Sequence, residues 1–208
     1  MKLIKTAGLA TLAAISGIAL ASWVGPAAEQ IEIGESIPMM QHTLTNLDGT
    51  TTNLREQLKA NGLLVIYSCN TCPFVKQWEN RYNDLYDLCA QHEIGMVLIN
   101  SNEAKRDGDD SMENMKKKAA EQGYKMPYLL DTDHVVADAF GARTTPHVYL
   151  FNQHPYLVYR GAIDDNSEFP DQVKAHYLED AITAMRSGKE INPNTTKSIG
   201  CSIKRVQQ

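Results

Sequence analysis

The sequence has no dense block of lysine or arginine along its 208 residues, and its net charge is −5 with histidine neutral. A nucleic-acid surface needs a concentrated basic footprint, so the composition argues against that class of partner. Internal repeats and low-complexity tracts are also missing, and the length suits one domain with a short appendage better than two. Cysteine is scarce. The four residues Cys69, Cys72, Cys89 and Cys201 are too few for a scaffold held together by disulfides. With 43% apolar and 22% charged residues, the chain can build a core without metal or disulfide staples.

Charge is absent from residues 6–28. Lys2 and Lys5 precede the gap, residues 9–20 are its apolar heart, and Ala19-Leu20-Ala21 carries the small-x-small pattern read by signal peptidase. This predicts a signal peptide over residues 1–21, with Ala27 or Ala28 as later cleavage points, and export, to the periplasm. No cysteine near the site indicates a lipid anchor. An uncleaved membrane anchor is the alternative, since about twenty uncharged residues can just span a bilayer. Export would place the four thiols in an oxidising compartment, where a C-x-x-C pair suggests redox work.

Asp48-Gly49 marks a turn between mixed apolar and Thr-rich stretches, which reads as an N-terminal hairpin within residues 34–54. Residues 55–60 form a short helical turn. Five large apolar residues at 63–67 make a strand buried on both faces. From 71 to about 91, Phe74, Trp78, Tyr82 and Leu85 recur at helical spacing among charged residues. A second buried strand follows at 96–99. Asp110 and Ser111, with Glu113 and Asn114 behind them, open a helix to about 122 with Met112, Met115 and Ala119 facing the core. A short helix at 135–140 is closed by Gly141, strands at 147–151 and 156–159 flank a turn, and a last helix spans 172–186. Residues 30–188 form the domain, and residues 189–208 read as an extended tail. The order predicts an α/β fold with a sheet of mixed direction.

Cys69 directly follows the buried strand and Cys72 falls in the first turn of the helix. The free N–H groups and positive dipole end of a helix stabilise a thiolate, which predicts a lowered pKa for Cys69. Thiolate is the attacking species in disulfide exchange. Cys69 is therefore the expected nucleophile, and Cys72, three residues on, resolves the mixed disulfide. A C-x-x-C pair is also half of a zinc site, but Cys89 and Cys201 are isolated, so no metal and no cofactor are expected. In Thr144-Thr145-Pro146 a proline opens a strand after a β-branched residue. It reads either as an ordinary trans proline or as a cis peptide that lets the Thr145 backbone pair with an incoming chain.

Together these features resemble the thioredoxin-like redoxins of the alkyl hydroperoxide reductase/thiol-specific antioxidant superfamily. The likeness covers nearly all of the mature region. It runs through Gly34-x-x-x-Pro38, Leu47-Asp48-Gly49, Tyr67-Ser68-Cys69-Asn70-Thr71-Cys72-Pro73-Phe74-Val75-Lys76 and Met126-Pro127-Tyr128-Leu129 with Asp131. It continues in Gly141-Ala142, Thr145-Pro146, the stretch from Tyr159 to Asp165, and Gly200-Cys201-Ser202-Ile203-Lys204. The resemblance implies a thioredoxin fold with an N-terminal β-hairpin and a redoxin-type strand–helix insertion over residues 96–127. It also implies a redox-active Cys69–Cys72 pair and a cis Thr145-Pro146 bond at the substrate-binding edge. His147 departs from the Asp found after this proline in relatives, and a solvent-facing histidine is expected there.

The implied activity is extracytoplasmic thiol–disulfide exchange by a monomer acting on protein disulfides. Asn70 and Thr71 add no positive charge that would make the pair a potent oxidant. A reductase supplied by a membrane electron donor is therefore expected, with cytochrome c maturation as one client process. A thiol peroxidase would share the fold, but its hydroxyl three residues before the cysteine is Ile66 here, and its proline position is Gly62. A copper chaperone is the other alternative, with His134 or His147 as third ligand and a cysteine spacing one residue short. Cys89 reads as a small buried residue. Cys201 is a candidate auxiliary thiol, against a Cys89–Cys201 staple or a free thiol. Glu79 shares a helix face with Cys72 and reads as a solvated carboxylate rather than a proton carrier.

Overall fold

The computed structural model describes residues 29–206, so the expected signal peptide or anchor lies outside the described residues. Asp48 accepts the Thr50 N–H at 2.9 Å and Gly49 takes a φ of 91°. The chain thereby reverses between β1 (Leu44–Thr45) and β2 (Thr51–Thr52), as the hairpin reading expected. The Asn53 side chain accepts the Glu56 N–H at 3.0 Å and starts α1 (Leu54–Gln57). β3 (Gly62–Tyr67) is buried at every position, as its unbroken apolar run requires.

The helix expected over 71–91 is two helices, α2 (Pro73–Trp78) and α3 (Tyr82–Gln91), joined by a 3-10 turn at Glu79–Arg81. Tertiary contacts account for the break. Arg81 donates to the Gln77 carbonyl at 2.7 Å and to Asp164 at 3.1 Å, while Trp78 Nε1 donates to the same carboxylate at 2.7 Å. β4 (Gly95–Asn100) follows. Ser111 caps α4 (Met112–Gln122), which packs Met115 and Ala119 on the core and leaves Met112 half-buried.

Next come β5 (Tyr128–Leu130) and α5 (Val135–Phe140), which Gly141 ends at φ 60°. β6 (Thr144–Thr145), β7 (His147–Asn152) and β8 (Leu157–Gly161) follow. α6 (Tyr177–Arg186) starts later than the sequence suggested, because Asp165 takes the Lys174 N–H at 2.9 Å and donates its own N–H to Ala175. β9 (Cys201–Ser202), which the sequence did not suggest, closes the chain.

The seven-stranded sheet runs β2-β1-β5-β4-β3-β7-β8, with β3, β4 and β5 parallel and the other pairings antiparallel. Successive residues of β3 point to opposite faces. Leu64 and Ile66 join Trp78, Tyr82, Leu178 and Ile182 on one side; Leu63, Val65 and Tyr67 join Leu54, Val136, Phe140 and Tyr149 on the other. Each of these large side chains contributes about 1.5–3 kcal/mol on burial. The packing on both faces fixes the position of the strand end from which Cys69 emerges. Among the described residues, no helix is long and apolar enough to cross a membrane.

Candidate active site

Cys69 lies in the loop after β3, and Cys72 is the residue from which α2 departs. Pro73 takes the first helical position, where a missing N–H has no partner to lose. Thr145 reaches both sulfurs. Its hydroxyl is 3.2 Å from Cys69 Sγ, and its carbonyl is 3.1 Å from Cys72 Sγ. The Thr145-Pro146 bond is cis. Cys201 packs against the same cluster, opposite Thr145 in the β6–β9 pairing. Cys89 stays apart, fully buried in α3, with its thiol pushed up to about 12 by burial. All four cysteines are free thiols.

The charge of the pair falls on the cysteine the sequence reading did not favour. The Cys69 thiol donates to the Cys72 sulfur, and the Cys201 thiol and the N–H groups of Val75 and Cys201 converge on it as well. Cys72 is thereby held down to about 4 against the cost of burial. Cys69 is pushed well up, first by holding that shared proton and then by burial. The Thr145 carbonyl pulls the other way, because it accepts an S–H from a protonated Cys72. One carbonyl facing four donors does not reverse the balance. The correction has a geometric reason: the helix starts at Cys72, so the Val75 N–H of its first turn turns to that sulfur, while Cys69 receives the N–H of Cys72 itself.

A buried carboxylate anchors the loop, and the sequence reading missed it. Asp110, fully buried, accepts the Asn70 N–H at 2.8 Å, Asn100 Nδ2 at 2.8 Å and Asn102 Nδ2 at 2.9 Å. The Asn70 side chain donates to the Asp109 carbonyl and accepts from the Tyr128 hydroxyl. The visible signal was Asp110 beside the Ser111 cap, where it read as a helix-start residue. Its inward turn depends on the three asparagines, which come from two other segments.

Two side chains, His147 and Glu79, depart from their expected settings. His147 faces inward, only 2% exposed, with Nδ1 beside the Tyr149 hydroxyl and the Arg143 N–H. Burial first, then Arg160 and Arg143, pull its pKa down to about 3, so it is neutral. Glu79 is not a solvated carboxylate: it pairs with the nearly buried Lys118 at 2.6 Å and accepts from Tyr124 at 3.3 Å. Ile66 points into the apolar cluster, and Arg160 is held by Glu32 at 2.9 Å, away from the cysteines.

The copper alternative needed His134 or His147 beside the pair. His134 instead bonds Asp138 at 2.7 Å and the Val206 carbonyl at 3.3 Å, and His147 is committed as above. Among the described residues, no group of three potential ligands gathers.

Similarity to known proteins agrees with this geometry. Over 127 residues the chain is 26% identical to the thiol-disulfide oxidoreductase YkuV of Bacillus subtilis, covering 59% of this chain and 80% of that protein. It is thus a homologue of a thiol–disulfide oxidoreductase. An uncharacterized conserved protein from Geobacillus kaustophilus is 35% identical and superposes with a TM-score of 0.77, covering 85% of this chain and 94% of the other. A thioredoxin-like protein solved in its oxidised form shares the fold at 21% identity and a TM-score of 0.59, covering 77% and 100%. The model of the AhpC/TSA family matches residues 33–160, more than half of the sequence, and the chain belongs to that family.

Proposed function

We propose that this chain reduces protein disulfides outside the cytoplasm, with Cys69 attacking and Cys72 resolving. The observation that carries the proposal is the convergence of two cysteines and the Thr145 backbone at the end of the central strand. The incoming polypeptide pairs with the β6 edge, and its disulfide meets Cys69. As Cys69 attacks, its proton passes along the existing hydrogen bond to Cys72, which acts as the internal base. The first substrate sulfur leaves as a thiolate and takes that proton. Cys72, again a thiolate, attacks Cys69 and releases the second sulfur.

Two features support the reducing direction. Asn70 and Thr71 bring no cation to the pair, and the Asp110 charge adds to the forces raising Cys69. A less stable thiolate makes a dithiol a stronger reductant, and the stabilised Cys72 thiolate acts against these two features, so the potential decides. Residues 1–21 serve as the export signal, a reading supported by the uncharged stretch before Glu29 and the Ala19-Leu20-Ala21 site, and an exported monomeric reductase then takes its electrons from a membrane protein.

Equilibration with a dithiol buffer, read alongside insulin reduction, tests the direction. A potential near the thioredoxin value, about −270 mV, is expected, and one near about −120 mV overturns the reductase reading. Turnover of hydrogen peroxide without insulin reduction would favour the peroxidase alternative.

A further inference from the structure

The tail after α6 returns across the molecule. Arg160 on the outer strand β8 donates its N–H to the Asn194 carbonyl at 3.1 Å and accepts the Thr196 N–H at 3.0 Å. The chain then reaches the cysteines, where β9 pairs antiparallel with β6: Cys201 lies opposite Thr145, and Ser202 opposite Thr144. The approach is close enough that a Cβ at Gly200 would collide with the Thr145 carbonyl and crowd Pro146.

Beyond it, Ile203 is buried and gives its N–H to the Arg143 carbonyl at 3.0 Å. The Lys204 N–H donates to Asn102 Oδ1 at 2.8 Å, and Arg205 pairs with Asp138 at 2.6 Å. The tail therefore fills the backbone edge that an incoming substrate strand would use. With it in place, Cys69 and Cys72 are only 3% and 4% exposed. The thiol and the backbone N–H of Cys201 both face the Cys72 sulfur.

We propose that Cys201 is a third redox thiol on a tethered pseudo-substrate strand, which takes over the disulfide of the active pair by attacking Cys72. This rests on the thiol–disulfide reading of Cys69 and Cys72. The Cys201 sulfur attacks the Cys72 sulfur, the Cys72–Cys201 bond forms, and the Cys69–Cys72 bond breaks. The leaving electron pair goes to Cys69, which also takes the proton given up by Cys201.

The exchange changes no net oxidation state: Cys69 returns as a free thiol while the oxidation is stored one residue pair away. An external dithiol later supplies two electrons to reopen the Cys72–Cys201 bond. In the reduced state burial and the Cys72 charge hold Cys201 up to about 11. Once Cys72 is in a disulfide that charge is gone, which favours the Cys201 thiolate at the moment it is needed. Tail and substrate exclude each other, so the tail must lift before each turnover.

The experiment is to oxidise the reduced full chain with one equivalent of glutathione disulfide, quench it in acid, block free thiols with N-ethylmaleimide and map the disulfides by mass spectrometry. The expected product is a Cys72–Cys201 peptide with Cys69 alkylated. The same link should form in Cys69→Ser. Gly200→Val should lift the tail and reduce the Cys72–Cys201 link about ten-fold or more, since detachment removes the effective concentration of a docked thiol. A wild-type product containing only Cys69–Cys72, together with free thiols or a glutathione adduct in Cys69→Ser, overturns the proposal.

Insulin reduction by an untreated aliquot of the reduced wild-type protein separates the two readings. Insulin reduction without any Cys72–Cys201 link defeats the third thiol alone. The link without insulin reduction supports the third thiol and defeats the reductase reading.

Discussion

Two segments hold the cysteine centre from opposite sides, and they hold it differently. On the insertion side, Asp110 and Tyr128 meet the loop through buried side chains: Asp110 accepts the Asn70 N–H together with those of Asn100 and Asn102 from the same insertion, and Tyr128 donates to Asn70. On the tail side, residues 200–205 meet β6 and its neighbours largely through backbone bonds and an exposed-edge ion pair. Buried bonds of the first kind are costly to break, because each abandoned donor stays out of water. The ion pair of the second kind, Arg205 with Asp138, is partly exposed and contributes little. One side is a fixed wall and the other a strap, joined at Asn102, which bonds Asp110 and Lys204 together.

The sharpest way to break the fixed side is Asp110→Ala. It strands three buried N–H donors, and the expected loss is about 3 kcal/mol or more in urea denaturation. A loss within about 0.5 kcal/mol, as for an ordinary surface change, would mean that the two sides do not differ in kind.

Acid challenges the tail side through His147, which shares a cavity lining with Thr195–Ser198 of the tail. Its folded pKa, about 3, lies below the usual histidine value near 6.5, so the unfolded chain binds more protons between those limits. Stability is therefore complete above about pH 6.5 and falls with pH, by about 2 kcal/mol at pH 5. His147→Gln should remove that slope. An unchanged slope in this variant would show that other groups set the acid response.

The smallest effect concerns the thiolate. Absorbance near 240 nm should report a thiolate that persists down to about pH 4. Cys201→Ala removes a donor to Cys72 and should raise that midpoint by roughly one unit or less. No movement would mean that the strap does not touch the charge it covers.

Much of the frame was readable from residue pattern. The buried strand before Cys69, the Asp48-Gly49 hairpin and the Gly141 stop all depend on local signals that tertiary contacts reinforced. The single long helix after Cys72 was misread, because its break depends on Asp164, more than eighty residues away in sequence. His147 and Glu79 were misplaced for the same kind of reason. A polar residue beside a functional motif reads as exposed until the groups that bury it, here Tyr149 and Lys118, are brought to it by the fold. Asp110 was visible only as a helix-start residue, and nothing local distinguishes a carboxylate that caps from one that turns inward.

The sequence by itself determined which groups the candidate centre holds: two cysteines at C-x-x-C spacing between a buried strand and a helix, with Thr145 and Pro146 opening a later strand. Those are short-range patterns, set by neighbouring residues. Only the tertiary structure decided where the charge of the pair rests and what covers it. Both depend on long-range approach: the Thr145 carbonyl and the Cys201 thiol reach Cys72 from distant parts of the chain, and hydrogen-bond donors act only at contact.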